Sequence, residues 1–386
     1  MTLSMHGGDI VIAGAAETTT IGVRPDTSVL ELHGEAARNA MADAGLRPSD
    51  IDGVATVRPS PVEVAHHLGI SPRWVDGTAI GGCSYLAHVR HAAAAIAAGA
   101  ADVVLVVHGE SGRSRVGSPP RPPDPASPAG QFERPYGATT PTTTFTVPAL
   151  RFLHDRGLDA TSLAEVVVAQ RRWAVGNDRA LRRNLVTVQE VLDSPMIAYP
   201  FTRDMCCVVT DGGGALIVTS ESRARALKTA DRLVHVLGSG EAAEATMVSQ
   251  MADPGSFAGF RTSSAEAMRT AGIGHSDVDH LMIYDAFAHV PLYGLEDLGF
   301  VGRGESAAFI AEGHTSPGGR LPMNTNGGGL CYTHTGMYGM FAMQEAVRQL
   351  RGEAAAQLPG VQISFVQGVG LFFSAASSLV LANRRP

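Results

Sequence analysis

The sequence repeats one short segment, and this repeat constrains the fold more than any other feature. Residues 40–52 read AMADAGLRPSDID and residues 267–279 read AMRTAGIGHSDVD, with seven identical positions and no gap. Each copy follows an amphipathic stretch and precedes a β-like run, GVATV or HLMIY. The pattern predicts, twice over, a helix that ends at a glycine, a turn that contains aspartate, and then a strand.

The similarity between the two parts extends further along the chain. Gly81-Gly82 precedes the helix-like SYLAHVRHAAAAIAAG and then the apolar run ADVVLVV. Gly327-Gly328-Gly329 likewise opens a helix-like segment that ends at EAVRQLRG and is followed by VQISFV. Apolar strands without alternation are typical of sheets covered on both faces. We therefore predict two related α/β halves, residues 1–230 and 231–386, with a site at the loops of their shared interface.

A segment of different composition interrupts the first half. Residues 111–147 are rich in Ser, Pro, Gly and Thr, including GSPPRPPDPASPAG and TTPTTTFT, which argues against continuous regular structure. Residues 148–184 have a helical pattern around LAEVVVAQRRWAV, and DGGGALIVTS at 211–220 resumes the strand pattern. We interpret residues 111–205 as an excursion of loops and helices from the first half.

Composition excludes several classes of function. The chain has 386 residues, is 45% hydrophobic and carries a net charge of −7, so it is globular and not a generally basic nucleic-acid binder. Its four cysteines form no C-x-x-C pair, and no apolar run or leader predicts a membrane span or export, so we expect a cytoplasmic location. No P-loop, dinucleotide or zinc motif occurs, so we predict no metal and no covalently bound cofactor.

Five motifs occur in the order that is typical of one enzyme superfamily. They are DGGGALIV (211–218), YDAF (284–287), LEDLGF (295–300), NTNGGG (324–329) and QGVG (367–370). Together they resemble the thiolase superfamily over nearly the whole chain, in particular the sterol-carrier-protein-type thiolases and lipid-transfer-protein thiolase homologues. The resemblance implies an α/β thiolase fold, with two duplicated βαβ-type halves in an α-β-α-β-α layered core. It also implies coenzyme A (CoA) thioester substrates, a homodimer, and a heterocomplex with a small OB-fold zinc-ribbon protein.

The cysteine nucleophile of the thiolases has no clear counterpart here. In that family the nucleophile opens a buried helix that ends at a glycine, and counting back seventeen residues from Gly99 places its position at Gly82. Cys83 lies one residue too late, and one residue at a helix start rotates a side chain by about 100°. We expect Cys83 to pack in the core, although a local bulge could restore it as the nucleophile. Val366 stands at the family's second catalytic cysteine, and Cys331 at a position that usually holds a small residue.

Tyr284 and His334 are the catalytic residues that the resemblance retains. Tyr284 stands in YDAF where thiolases have Asn or His, and His334 matches the histidine of their Gly-His-Pro motif. Some lipid-transfer-protein homologues are steroid side-chain aldolases with a tyrosine in the same motif. The resemblance implies retro-aldol cleavage of a β-hydroxyacyl-CoA, with one of the two residues as base and the other as acid. His334 is the better base by its ordinary pKa, and N–H groups near Gly368 or Gly370 would polarise the thioester oxygen.

Other residues are weaker candidates for the site. The aldolases of that group use a second tyrosine where this chain has His334, so the flanking Tyr332 and Tyr338 are pocket candidates, with core packing as the alternative. His289 follows Tyr284 by five residues, and packing is the favoured interpretation. The phosphates of CoA could bind the basic stretch of the excursion, whose alternative role is a solvated helix face. This stretch comprises Arg171, Arg172, Arg179, Arg182 and Arg183.

Two other functions stay open at this point. A thiolase or Claisen-type acyltransferase would need Cys83 or Cys331 to become acylated. A subunit without chemistry of its own would only bind CoA esters or hold an active partner.

Overall fold

The computed structural model describes residues 9–117 and 124–385. Residues 118–123, which belong to the proline-rich segment GSPPRPPDPASPAG, lie outside the described residues. The strands are β1 (Ile10–Glu17), β2 (Gly53–Ala55), β3 (Trp74–Asp76), β4 (Val103–Ser111), β5 (Met196–Ala198), β6 (Phe201–Thr202), β7 (Asp211–Ser220), β8 (Val234–Ala243), β9 (His280–Ile283), β10 (Ile363–Gly370) and β11 (Ala375–Ala382). The helices are α1 (Val29–Ala44), α2 (Pro61–Leu68), α3 (Ser84–Ala97), α4 (Pro128–Phe132), α5 (Pro141–Arg156), α6 (Ala160–Ala174), α7 (Val188–Asp193), α8 (Glu221–Ala224), α9 (Ala258–Ala271), α10 (His289–Asp297), α11 (Ser306–Ala311), α12 (Gly328–Cys331) and α13 (Gly339–Arg351).

The strands show the duplication directly. The first half has the order β3-β2-β4-β7-β1, and the second half continues it as β8-β11-β10-β9. In both halves the strand pairs toward the middle of the sheet are antiparallel and those toward its edge are parallel. Met323 makes a parallel bridge to Leu281 of β9, at the position that β3 has beside β2 in the first half. The two halves join through a short antiparallel contact between β1 and β8. The predicted α/β fold with two related halves is confirmed.

The helices divide into an outer layer on each half and a shared central layer. Helix α1 packs on β1, β4 and β7, and α9 packs on β8 and β11. Between the two halves of the sheet, α3 and α13 contact each other and strands of both halves. Both faces of the sheet are therefore covered, which explains why β4, β7 and β11 are buried along nearly their whole length.

The repeated segment has the same structure in both copies. Gly45 and Gly272 end α1 and α9 in the left-handed conformation, with φ of 74° and 71°. The Asp52 carboxylate accepts the backbone N–H groups at the start of β4. Asp279 accepts those at the start of β10. These two aspartates recur because each one ties the end of the repeat to the next parallel strand.

Two details differ from the sequence interpretation. The segment TTPTTTFT is not wholly irregular, because the Thr140 side chain caps α5 and Pro141 occupies its first turn. The glycines at 327–329 open only the short helix α12, and the long helix of the second half begins at Gly339. The intervening loop carries His334. Among the helices described, none is long and apolar enough to cross a membrane.

Candidate active site

Three segments from both halves meet at one place. Tyr284 directly follows β9, His334 lies in the loop between α12 and α13, and Gly82 lies in the 3-10 turn that precedes α3. The Tyr284 hydroxyl is 2.9 Å from Nε2 of His334. It also lies 3.4 Å from the Gly336 carbonyl oxygen. The loop positions predicted from the repeat therefore come together at the interface of the two halves.

The ring of Tyr284 fills the space beside Gly82. A Cβ atom at Gly82 would lie 2.3 Å from Cε2 of Tyr284 and 2.7 Å from its hydroxyl oxygen. Gly82 has no left-handed backbone conformation, so space and not torsion requires glycine here. The ring and hydroxyl of a tyrosine from the other half thus occupy the space that a side chain at position 82 would need.

Cys83 is part of the core. Its Sγ lies 3.4 Å from the Ile80 carbonyl oxygen, and the residue is fully buried. Gly368 and Gly370 of β10 approach it so closely that a Cβ atom on either would lie under 3 Å from Cys83 atoms. Burial raises the pKa of the Cys83 thiol far above its usual range, so the thiolate that a thiolase reaction needs is strongly disfavoured.

Cys331 is also a poor nucleophile. It is fully buried in α12, and burial raises the pKa of its thiol to about 12. Neither thiol predicted for the transferase alternative is therefore exposed or activated.

Burial fixes the protonation of the tyrosine and histidine pair. Desolvation raises the pKa of Tyr284 far above its usual range, and the hydroxyl keeps its proton. The same desolvation lowers the pKa of His334 to about 4, so the imidazole is neutral near pH 7. The pair therefore consists of a protonated phenol and a neutral imidazole, which together can accept or deliver one proton.

Asp285 anchors the segment that carries Tyr284. Its carboxylate accepts the Gly329 N–H at 2.6 Å and the Leu330 N–H at 3.1 Å. Burial raises the pKa of Asp285 to about 8. The strand end of β9 is thereby tied to α12, from which the His334 loop departs.

A buried network supports the His334 loop from behind. The Thr335 hydroxyl is 2.6 Å from Nε2 of His108, whose Nδ1 is 2.9 Å from the Tyr85 hydroxyl. The His334 carbonyl oxygen accepts the Thr210 N–H at 3.2 Å. Thr335 and His108 were not among the residues singled out from the sequence. His108 follows the apolar run VVLVV of β4, and that local pattern does not indicate a partner in the other half.

Of the two flanking tyrosines, only Tyr338 contacts the pair. Its ring lies edge-on to Tyr284 with 5.8 Å between centroids, and its hydroxyl donates to Oδ1 of Asn326 at 2.8 Å. The Tyr332 hydroxyl instead donates to the buried Glu17 carboxylate.

His289 lies in an aromatic cluster instead of in contact with the pair. Its ring packs against Phe145, Phe201, Phe287 and Phe373, with centroid distances of 4.9 to 6.3 Å. Burial lowers its pKa to about 3. This placement agrees with the packing interpretation.

The five arginines of the excursion have different surroundings. Three form ion pairs with carboxylates of the same chain: Arg171 with Asp204 at 3.6 Å, Arg179 with Glu17 at 3.0 Å, and Arg183 with Asp178 at 2.7 Å. Arg172 is exposed and donates to the Ser316 hydroxyl at 3.4 Å. The half-buried Arg182 donates to the carbonyl oxygens of Cys206 and Leu330. Within residues 9–117 and 124–385, no ion pair with a carboxylate is found for Arg172 or Arg182.

Comparison with known proteins now identifies the family. Residues 240–383 match the thiolase C-terminal domain-like family. The chain is 34% identical to the 17-hydroxy-3-oxo-4-pregnene-20-carboxyl-CoA lyase of Mycobacterium tuberculosis, over 93% of this chain and 95% of that protein. The chain belongs to the thiolase superfamily. Within it, the chain is an aldolase, a C–C lyase of the sterol-carrier-protein-type branch.

Two further relatives agree with this assignment. The aldolase is 33% identical to the steroid side-chain-cleaving aldolase of Thermomonospora curvata, over 91% of this chain and 93% of that protein. A solved structure named Ltp2-ChsH2(DUF35) aldolase superposes with a TM-score of 0.90 at 30% identity, over 98% of this chain and 99% of that chain. The predicted family, fold class and lyase activity are thereby confirmed.

Proposed function

We propose that the aldolase cleaves the bond between Cα and Cβ of a β-hydroxyacyl-CoA whose acyl group is a steroid side chain, by acid and base catalysis without an acyl-enzyme. The observation that carries the proposal is the Tyr284 ring in contact with Gly82. Position 82, which we align with the thiolase nucleophile, has no side chain and no room for one. The names of the two curated relatives support the steroid CoA ester as substrate.

Tyr284 and His334 act in this proposal as one proton-transfer unit. The β-hydroxyl of the substrate gives its proton to the pair, with the Tyr284 hydroxyl as the contact and neutral His334 as the final acceptor across the 2.9 Å hydrogen bond. The electron pair of the Cα–Cβ bond moves to the thioester as an enolate, while the former hydroxyl carbon becomes a ketone or aldehyde. The pair then returns the proton to Cα, so that the reaction consumes no other reagent.

The enolate requires hydrogen-bond donors at the thioester oxygen. We assign the stabilisation of the enolate oxygen to the backbone N–H groups of Gly368 and Gly370, because β10 packs directly on the turn that contains Gly82. A second donor is the side-chain amide of Asn326, which accepts from Tyr338. Its Nδ2 is buried and has no hydrogen-bond partner among the residues described.

The CoA phosphates need cations that are not already neutralised. Among the five predicted arginines, Arg172 and Arg182 meet this condition best. Arg182 is the stronger candidate, because its two backbone acceptors hold the guanidinium in place but do not cancel its charge.

Other chains complete the proposed assembly. The solved relative is named as an aldolase with a DUF35 protein, which supports a heterocomplex with a small OB-fold zinc-ribbon partner. A homodimer is proposed from the superfamily resemblance, and a cytoplasmic location stays a prediction of the sequence.

The test is product analysis with a defined substrate. The purified aldolase, alone and with its DUF35-type partner, is incubated with a 17-hydroxy steroid 20-carboxyl-CoA ester. The proposal predicts equal amounts of the 17-ketosteroid and propionyl-CoA, because cleavage between C17 and C20 divides the molecule there. Binding of the ester without either product, with the partner present, would overturn the proposal and favour a non-catalytic subunit.

A further inference from the structure

One buried carboxylate holds four segments of the chain together. Glu17 ends β1, and its side chain is only 1% exposed. Its Oε2 accepts a hydrogen bond from the Tyr332 hydroxyl and lies 3.0 Å from the Arg179 guanidinium. Its Oε1 forms an ion pair with Arg348 of α13 at 2.7 Å. Strand β1, the excursion, α13 and the segment that leads to His334 therefore meet at this carboxylate.

Two of these side chains are also bonded to each other. Nε of Arg179 donates to the Tyr332 hydroxyl oxygen at 3.1 Å, so Arg179, Tyr332 and Glu17 form a closed triangle of hydrogen bonds. The other two nitrogens of the Arg179 guanidinium donate to the carbonyl oxygens of Thr19 and Thr18. All three nitrogens of Arg179 are thus engaged within the chain, and its role is to connect segments and not to bind phosphate.

The triangle is part of a longer contact between the excursion and α12. The Leu181 N–H donates to the Cys331 carbonyl oxygen at 3.0 Å. The Arg182 guanidinium donates to the Leu330 carbonyl oxygen at 3.2 Å. The loop of the excursion that carries Arg182, the stronger candidate for a phosphate ligand, is thus bonded directly to the segment before the catalytic histidine.

Tyr332 lies two residues before His334, in a loop that the first half also holds. The Thr333 hydroxyl is 2.6 Å from the Thr210 hydroxyl, and the His334 carbonyl oxygen accepts the Thr210 N–H at 3.2 Å. Burial and the Glu17 charge raise the pKa of Tyr332 well above its usual range, so its hydroxyl keeps the proton that it donates. The position of His334 therefore depends on the excursion, through Tyr332, as well as on the first half.

A small displacement of this loop changes the geometry of the catalytic pair. The Tyr284 hydroxyl lies 2.9 Å from Nε2 of His334, and misplacing a catalytic group by about 1 Å lowers rates by about 100-fold. Enzymes use the binding energy of remote parts of a substrate to hold reacting groups in place, and truncated substrates then lose kcat as well as affinity. A connection from the excursion to His334 supplies a route for this effect.

We infer that the triangle of Glu17, Tyr332 and Arg179 couples the nucleotide end of the substrate to the catalytic pair. Phosphates bound at Arg182 fix the excursion loop, and the triangle passes this constraint to the loop that carries His334. Glu17 and Tyr332 are positioning residues in this inference, because neither touches the pair. The inference rests on the proposed function and adds to it a use for the part of the substrate that does not react.

The test compares a CoA ester with the pantetheine ester of the same acyl group, which keeps the reacting groups and lacks the nucleotide. Both are assayed with the DUF35-type partner present. We expect wild type to show at least a tenfold higher kcat with the CoA ester. Tyr332→Phe, which removes only the hydroxyl, should reduce this ratio below threefold through a loss of kcat with the CoA ester, while KM for that ester changes less than threefold.

The matched control is another buried tyrosine that joins the excursion to the second half. The Tyr293 hydroxyl donates to the carbonyl oxygens of Pro148 and Pro254, and Tyr293→Phe should leave the ratio within twofold of wild type. Arg179→Met, at a half-exposed position, replaces Tyr332→Phe if that variant does not fold. Equal kcat with the two esters in wild type, or an equal loss with both in Tyr332→Phe, would overturn the inference.

The nucleotide alone tests the coupling without turnover. The probe is adenosine 3′-phosphate 5′-diphosphate, the nucleotide of CoA, added to the ¹³C-histidine-labelled protein in its complex and followed by NMR. We expect the His334 signal, assigned from its absence in His334→Gln, to shift in wild type and to stay in place in Tyr332→Phe with the nucleotide bound. Binding without a shift in wild type, or no binding, would overturn the inference. If wild type cleaves neither ester but the signal shifts, the proposed function fails and the coupling stands.

Discussion

Gly82→Ala is the substitution that examines the geometry of the site most closely. The new methyl group would lie 2.3 Å from Cε2 of Tyr284. Carbon atoms in contact are separated by about 3.5 Å or more, so the ring must retreat by roughly 1.2 Å. The Tyr284 hydroxyl now lies 2.9 Å from Nε2 of His334. A retreat of this size takes it past the roughly 3.5 Å limit of a hydrogen bond.

The expected loss of activity follows from this displacement. Misplacing a catalytic group by about 1 Å lowers rates by about 100-fold, which corresponds to about 2.7 kcal/mol of transition-state stabilisation. Overpacking should lower the free energy of unfolding by about 1 to 3 kcal/mol. The assay is kcat for release of ketone, with urea denaturation in parallel.

Two controls make the result decisive. Gly77→Ala places a methyl group no closer than 3.8 Å to its nearest neighbour, Pro61, and should retain activity. In the Tyr284→Phe background, Gly82→Ala should cost little further activity, because the hydroxyl that it displaces is already gone. A folded Gly82→Ala protein with more than a third of wild-type kcat would refute the placement of the Tyr284 hydroxyl as the reacting group.

Four other substitutions and conditions test separate parts of the site. Tyr284→Phe should lower kcat/KM by about 10²- to 10⁴-fold with little change in melting temperature, and full turnover in the assembled complex would favour a scaffold subunit. As the pH falls, kcat/KM should decline with a midpoint near pH 4 instead of near 6.5, because His334 accepts a proton only when neutral and burial lowers its pKa to about 4. A midpoint at pH 6 to 7 would contradict this. Circular dichroism at each pH checks that the protein stays folded. The isosteric Thr335→Val removes the 2.6 Å bond to His108 and should lower kcat about tenfold at constant KM, whereas Thr335→Ser, which keeps the hydroxyl, should retain most of the activity. Cys83→Ala should stay within threefold of wild type, whereas loss of activity in a folded protein would restore the transferase interpretation.

Most of the fold could be predicted from the sequence, because the same local structural requirements occur in both halves. Gly45 and Gly272 occupy left-handed helix ends, and Asp52 and Asp279 tie each repeat to the next strand. These are short-range requirements, so they leave identical residues at identical spacing. The start of α5 was missed because the Pro- and Thr-rich composition hid a regular cap, in which Thr140 accepts from the third residue of the helix.

The site was predictable only in part. The alignment of Gly82 with the thiolase nucleophile follows from a helix length, and Tyr284 and His334 follow from motifs. The network of Thr335, His108 and Tyr85 joins residues far apart in the chain. His108 lies in a strand, Tyr85 in a helix and Thr335 in a loop, and the local pattern around each gives no sign of the other two. Such pairings are set by how the two halves pack, which periodicity and composition do not record.

The most direct measurement of the central claim is an intact-protein mass spectrum of the aldolase, stopped during turnover of the steroid CoA ester. The non-covalent mechanism predicts unmodified protein while ketone and shortened acyl-CoA accumulate in equal amounts. An added acyl mass that maps to Cys83 or Cys331 and forms and decays with turnover, with release of free CoA, would contradict the mechanism and make the enzyme an acyltransferase.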